Sequence, residues 1–305
     1  MRFVHYLSLL LIFSTISLVN IHAQSQSGVD STGLPGDNFS LQGALELFKK
    51  SSSPEEFEKL INTESNHVNN LDLNEDGEID YIRVIDNADG DAHAIVLQAI
   101  VSEKESQDIA VIEIEKTGTD NAVLQIVGDE DIYGEEIIVE PENDSNAIIE
   151  NYNGFTVHGP SVMENTYKPL LVVNVWVWPS VRFVYTPGYA VWRSPYRWRT
   201  YPIGWRPWRP LRWHMYYPFV RPYHSHFTVV TTRRVVAAHK IYTPVRVSSV
   251  TVRTRHATAV GNYRVTHLRT VVTGPRGNKA VRKSTTVKGP RGNKVKTSRT
   301  KVRRR

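Results

Sequence analysis

The sequence predicts an α+β fold in which two short N-terminal helices pack on an antiparallel β-meander, followed by an extended or disordered basic C-terminal region. Three observations lead to this prediction. Apolar residues first recur with helical spacing, an alternation of period two replaces it from Leu71 onward, and the second half of the chain is rich in Pro, Arg and Lys.

Residues 1–23 have the layout of a secretory signal peptide. Arg2 supplies a positive charge, an apolar run extends from Tyr6 to Val19, and Ala23 is a small residue at the expected cleavage position. The run is about fourteen residues, short of the roughly 20 that a spanning helix needs. The chain has no Cys, which excludes a lipid-anchored lipoprotein and a disulfide framework. We expect an exported protein of the periplasm, the outer envelope or the extracellular space.

The folded part is expected to begin after a flexible leader over residues 24–37. Leu41, Ala44, Leu45 and Phe48 fall on one face of a helix that Ser40 can cap. Ser53, with Pro54 after it and Glu56 three residues later, forms a capping box and predicts a second helix.

From Leu71 the pattern predicts strands. Short spacers cannot hold crossover helices, so the strands should pair antiparallel and complete an acidic domain over residues 38–150. The charged face of Glu113 and Glu115 is opposite the one that the helices would cover. The predicted strands are Ile79–Asp86, Ala92–Ser102, Asp108–Lys116, Ala122–Val127 and Glu136–Glu140.

Charge is segregated along the chain. All 31 Asp and Glu lie at or before Glu164, and 30 of the 37 Lys and Arg lie after it, although the net charge is only +6. This asymmetry predicts that the two halves do separate jobs. Residues 151–166 are expected to be the linker between them.

One motif carries coordination chemistry. Residues 72–80 read D-x-N-x-D-G-x-x-D, and the pattern resembles the calcium loops of EF-hands, dockerins and integrin-type β-propeller repeats. The twelfth position is Arg83 where an EF-hand has Glu, whereas an Asp at position nine before a strand fits the propeller loop. The resemblance implies Ca²⁺ ligands from Asp72, Asn74, Asp76 and Asp80, with Glu78 binding through its carbonyl. A polar turn before a strand uses the same residue types.

Residues 167–227 contain all seven Trp, interleaved with Arg and Pro. Frequent Pro predicts extended backbone without helices, except that Leu170–Trp178 is expected to be a last strand of the sheet. Aromatic faces stack on sugars or bases, and Arg pairs with phosphate or carboxylate. The candidate partners are lipopolysaccharide, acidic polysaccharide, lipid headgroups and extracellular nucleic acid, or the acidic half of the same chain. The candidate contact residues are Trp192, Arg193, Arg197, Trp198, Arg199, Trp205, Arg206, Trp208, Arg209 and Trp213.

Residues 228–305 alternate Val and Thr with Arg and Lys. The hexapeptide Gly-Pro-Arg-Gly-Asn-Lys occurs at 274–279 and again at 289–294. High charge and few apolar residues predict disorder at the end of this region. Val229–Val236 and Val245–Val252 are expected to be strands where something pairs with them.

Asn70–Val84, followed by a Trp/Arg/Pro-rich segment, resembles a group of uncharacterised exported proteins of environmental bacteria. The resemblance implies export and no activity. No G-x-S-x-G or H-E-x-x-H motif and no catalytic Cys is present, so we expect a non-enzymatic envelope binding or structural protein. Two alternatives stay open: an enzyme or inhibitor with a site in the acidic domain, and a tail that docks on that domain.

Overall fold

The computed structural model describes residues 31–142, 172–273, 279–288 and 294–303, and from residue 265 onward its backbone alone. The predicted signal peptide, the first residues of the leader and the predicted linker lie outside the described residues. From Ser31 onward the chain forms one compact unit.

The two N-terminal helices form where the capping residues predict them. Helix α1 (Leu41–Lys50) begins after Ser40, whose hydroxyl accepts from the Gly43 amide at 2.9 Å. Helix α2 (Pro54–Ile61) begins after Ser53, whose hydroxyl accepts from the Glu56 amide at 3.1 Å. Each cap satisfies a backbone donor that the first turn of a helix leaves without a partner.

The strands form one antiparallel sheet in sequence order, which confirms the predicted α+β class and the meander. Neighbouring strands pair throughout, with irregular register after Leu97 in the second strand and after Lys116 in the third. A short helix, α3 (Glu130–Tyr133), precedes the fifth strand. The strands are β1 (Ile82–Asp89), β2 (Ala92–Ile100), β3 (Ser106–Gly118), β4 (Asn121–Gly128), β5 (Ile137–Pro141) and β6 (Phe227–Val230).

The main core lies on the sheet face that α1 and α2 cover. Phe48 of α1 and Phe57 of α2 are fully buried and contact each other edge to face at 5.2 Å. The basic half of the chain completes this core. Its buried contributors are Val175, Trp178, Val181, Val184, Phe227 and Val252.

The opposite, charged face of the sheet is also covered. Helix α6 (Ala237–Tyr242) lies on it, and Tyr242 packs with Ala94, Val96 and Val111. The expected separation between a folded acidic half and a free basic half is therefore wrong for residues 172–264. Alternation along β3 correctly assigns residues to two faces, but it does not reveal which segment covers the second one.

The predicted extended or disordered region contains helices. They are α4 (Pro179–Val184), α5 (Trp213–Val220), α6 and α7 (Val250–Thr266), with 3₁₀ turns at Arg221–Ser225 and Thr243–Val245. Proline does not prevent α4 because Pro179 occupies its first position, where no amide donor is needed. Pro218 lies inside the short α5.

Two strand predictions in the basic half are also corrected. The sixth strand of the sheet is Phe227–Val230 and not Leu170–Trp178, whose described part ends in the turn before α4. Residues 250–252, expected in a strand, begin α7.

The end of the chain, predicted to be disordered, has three paired strands. They are β7 (His267–Thr273), β8 (Lys279–Lys288) and β9 (Lys294–Arg303), which form a separate antiparallel sheet. The two copies of Gly-Pro-Arg-Gly-Asn occupy the sequence between β7 and β8 and between β8 and β9. The fifteen-residue repeat thus corresponds to one strand and one connection.

Candidate functional site: the calcium-type loop and the arginine–tryptophan segment

The Trp- and Arg-rich stretch of residues 192–213, which we call the Trp/Arg segment, begins along the outer edge of β1. The Asp86 amide donates to the Trp192 carbonyl at 2.8 Å, and the Ser194 amide donates to the Val84 carbonyl at 3.1 Å. These bonds satisfy backbone groups that an edge strand would otherwise expose. Part of the segment is therefore integral to the fold.

Glu58 of α2 fixes the segment to the core. Its carboxylate is 1% exposed and accepts from Tyr81 Oη at 2.9 Å and from the Val84 amide at 2.8 Å. It also accepts from Ser194 Oγ at 2.7 Å and Trp192 Nε1 at 3.2 Å. Burial raises the pKa of Glu58 above its ordinary value, although these hydrogen bonds act in the opposite direction.

The other aromatic side chains of the segment also pack inward. Tyr81 contacts Tyr196, Tyr201 and Trp205 at centroid distances of 5.6, 5.5 and 4.9 Å. Trp205 Nε1 donates to the Asn62 carbonyl at 2.9 Å. These rings are partly buried in a cluster of their own, so they serve chiefly as anchors.

The arginines of the same segment face solvent. All six arginines of residues 192–213 are exposed, and none of these six forms a salt bridge with a carboxylate in the part of the chain that the structure describes. Arg193 reaches only Asn87 Oδ1, at 3.5 Å. We call these six residues the arginine ridge: Arg193, Arg197, Arg199, Arg206, Arg209 and Arg212.

The predicted calcium loop is ordered by its own side chains. Asp72 accepts from the Asp76 and Gly77 amides at 3.0 and 2.9 Å, and Asp76 accepts from the Glu78 amide at 3.0 Å. Asn74 Nδ2 donates to Asp76 Oδ2 at 2.9 Å. Gly77 has a φ of 87°, which permits the bend at the sixth position.

Asp80 is buried beneath the loop and hydrogen-bonds to the loop backbone. Its Oδ2 accepts from the Leu73 amide at 2.7 Å, and the residue is 5% exposed. Burial raises the pKa of Asp80 to about 8, and the neighbouring Asp72 and Asp76 carboxylates add to the effect. Within the described ranges, no cluster of three or more His, Cys, Asp or Glu side chains has a metal-binding arrangement.

The structure brings the two predicted sites together. The Ile79 amide in the loop donates to the Trp208 carbonyl at 2.9 Å. A cleft of about 260 Å³ lies between the loop and the segment. Its lining includes Asp76, Glu78 and Asp80 from the loop and Trp198, Arg199 and Tyr201 from the segment.

A second group of arginines, which sequence reasoning did not single out, pairs with the charged face of the sheet. Arg233 Nη1 donates to both carboxylate oxygens of Glu113, at 2.7 and 2.8 Å, and Arg233 Nη2 reaches Glu136 at 3.0 Å. His239 Nδ1 lies 2.9 Å from Glu113. Burial raises the pKa of Glu113 to about 7, while the positive charge of Arg233 opposes the shift.

Two further arginines extend this contact. Arg234 Nε donates to Glu140 at 2.8 Å. Arg246 donates to Asp129 at 2.5 and 2.9 Å and to Asp131 at 3.0 Å. We call Arg233, Arg234 and Arg246 the docking arginines. The excess of acid in the first half was a signal for such pairing, but it did not identify the partners.

Comparisons assign no family to this arrangement. None of the helices in the described part of the chain has the length and hydropathy needed to cross a bilayer. No family model matches the chain, and neither curated proteins nor solved structures gave a match.

Proposed function

We propose that this chain is a non-enzymatic, exported binding protein that holds an anionic envelope partner on the arginine ridge. The supporting observation is the contrast between its arginines: the docking arginines pair with carboxylates of the same chain, whereas the six ridge arginines are exposed without such a partner. Because the docking arginines already neutralise carboxylates of the same chain, their charge is used within the fold, whereas the ridge carries positive charge that is available to a partner.

The ridge is presented on a rigid support. Arg193 lies between two residues that hydrogen-bond to β1 and Glu58, and Arg206 follows Trp205, which is fixed to Asn62. Arginines on a fixed backbone lose less conformational freedom on binding phosphate or carboxylate than arginines of a disordered segment would. Such an array suits a partner with repeated anionic groups.

The experiment is a salt titration on a dextran sulfate resin. Replacing Arg199, Arg206 and Arg209 together with Gln should weaken binding about 100-fold, because each Arg near an anionic surface contributes about 1 kcal/mol. The slope of log K against log salt should also become shallower.

The matched control is Lys240→Gln, which removes an exposed cation from α6 on the other face of the sheet. It should bind as the unchanged protein does. A folded triple variant with undiminished binding would contradict the proposal.

Ca²⁺ binding by the loop is the second part of the proposal. The supporting observation is that Asp72, Asn74, Asp76 and Asp80 lie around one bend, with Asp80 buried beneath it. Calcium would neutralise carboxylates that burial now holds at raised pKa. Its role would be to stiffen the support of the ridge.

A further inference from the structure

Exposed apolar side chains lie among the ridge arginines and directly after them in the sequence. Ile203 has a relative exposure of 107%, so its whole side chain stands clear of the protein. Met215 and Phe219, at 51% and 47%, are also exposed. A charge-only binding surface has no need of large apolar groups in water.

Ile203 occupies the tip of a tight turn. The Trp205 amide donates to the Pro202 carbonyl at 3.0 Å, and Gly204 has a φ of 87°, which a residue with a side chain rarely adopts. Trp205 is itself held by Asn62. The turn is therefore a fixed projection that ends in an aliphatic side chain and lies between Arg199 and Arg206 in the sequence.

Helix α5 contributes the other apolar groups. Met215 and Phe219 are four residues apart and exposed, whereas Tyr216 and Val220 face the core. Exposed arginines flank the helix at Arg212 and Arg221.

The turn and the helix are anchored close together. Phe219 stacks on His67 at 3.8 Å, and Trp205 is bound to Asn62 five residues earlier. Exposed carboxylates near this surface oppose an anionic partner: Glu64 lies between the two anchors, and Asp76 and Glu78 line the cleft beside Arg199. The six ridge arginines outnumber these three carboxylates.

We propose that the partner of the ridge is an anionic lipid surface, with Ile203 inserted among the acyl chains and the arginines on the headgroup phosphates. Arginine at headgroup depth, aromatic residues at the interface and a projecting aliphatic tip are the combination that a lipid surface requires. A soluble polyanion would contact the same arginines and leave Ile203 in water. This inference rests on the proposed function and specifies its partner.

The test compares two probes on the purified full-length protein. The first is vesicles of phosphatidylcholine with 30% phosphatidylglycerol, and the second is dextran sulfate. Ile203→Ser should weaken vesicle binding at least about tenfold, because the apolar area that Ile203 would bury among the acyl chains is lost, and should leave dextran sulfate binding unchanged. Val229→Ser, at a 58% exposed Val on the opposite edge strand, is the matched control.

A labelling experiment supplies a second measurement. Because the chain has no Cys, Ile203→Cys accepts an environment-sensitive dye at a single position. Its emission should shift to the blue on the anionic vesicles and not with dextran sulfate, and a dye at Val229→Cys should not shift.

The outcomes separate the two proposals. Binding to dextran sulfate without binding to vesicles would overturn the lipid surface and leave the anionic partner standing. Equal vesicle binding by Ile203→Ser, with no spectral shift at position 203, would overturn the insertion. Binding to neither probe by the folded protein would overturn both.

Discussion

The arginine ridge and the docking arginines come from the same basic half of the chain and have opposite roles. Arg233 is 17% exposed and donates two hydrogen bonds to Glu113, whose side chain is fully buried. Arg206 is exposed and lies beside Trp205, which carries the packing. The difference teaches that charge segregation in a sequence does not by itself separate a protein into two bodies. A basic half can be divided between stabilising the fold and leaving charge for a partner.

The largest expected effect comes from removing the basic half. A fragment of residues 24–165 lacks Trp178 and Val181 in the core, Trp192 on Glu58 and Arg233 on Glu113. We expect no cooperative thermal transition by circular dichroism, whereas a fragment of residues 24–264 should melt cooperatively. A cooperative melt of the shorter fragment near the temperature of the full chain would show that the halves are independent.

The next effect distinguishes the two groups of arginines directly. Arg233→Met leaves the buried Glu113 without its main partner and should lower the free energy of unfolding by about 3 kcal/mol. Arg206→Gln removes an exposed charge and should change it by less than about 0.5 kcal/mol. Urea denaturation measures both.

Binding should show the reverse order. Arg206→Gln should weaken dextran sulfate binding, and Arg233→Met, measured where it is folded, should not. Equal losses of stability in the two variants would remove the distinction between ridge and docking arginines.

The buried carboxylates near the docking arginines make the stability of the fold depend on pH. Burial raises the pKa of Glu113 to about 7 and that of Asp108 to about 6, above the values near 4 of an unfolded chain. A raised carboxyl pKa favours the folded state when the group is protonated. The stabilisation is thus fully present below about pH 4, declines as the pH rises and is lost above about pH 7.

From these two shifts we expect the free energy of unfolding to fall by about 4 kcal/mol between pH 5 and pH 8, with the larger share from Glu113. The charged groups facing Glu113 are Arg233, His239, Glu115 and Glu136, and those facing Asp108 are Asp129 and Arg83. Glu113→Gln should flatten the profile, and Glu103→Gln, at an exposed turn, should not. Stability that rises steadily over this range would contradict the assignment.

The smallest expected effect is the stabilisation of the fold by Ca²⁺. It should be confined to the part of the fold that supports the arginine ridge. At 5 mM Ca²⁺ and the millimolar affinity of extracellular modules, the stabilisation is about 1 kcal/mol. Amide hydrogen exchange should slow at Ile79, whose amide donates to Trp208 beside the ridge. It should stay unchanged at Asp108, whose amide donates to Val247 next to the docking arginine Arg246.

Asp76→Asn should abolish the calcium response, and Asp89→Asn, at the exposed end of β1, should retain it. A melting temperature that is the same in Ca²⁺ and in chelator would refute the loop as a calcium site.

Local sequence signals predicted the acidic half well. Caps at Ser40 and Ser53 and the period-two runs gave both helices and five strands, because these patterns report hydrogen bonds and burial within a few residues. The calcium-type motif was likewise visible in the sequence, and its occupancy stays a prediction.

The contacts between the halves could not be predicted in the same way. Arg233 and Glu113 are 120 residues apart, and nothing near either residue specifies the other. Ile203 was missed as a candidate contact because a single aliphatic residue between Pro and Gly has no periodicity. Its meaning depends on exposure, which only the folded chain reveals.

The four hydrogen bonds on Glu58 have a consequence for the time course of synthesis. Tyr81 and Val84 follow Glu58 closely in the sequence, but Trp192 and Ser194 come 134 and 136 residues later. Because the chain is synthesised from its N-terminus, the Glu58 carboxylate stays hydrated until Trp192 and Ser194 have been made. Such distant contacts slow folding, so the native state forms only when most of the polypeptide is present. Were the chain exported as proposed, this late folding would keep it in the unfolded state that threading through a narrow export channel requires.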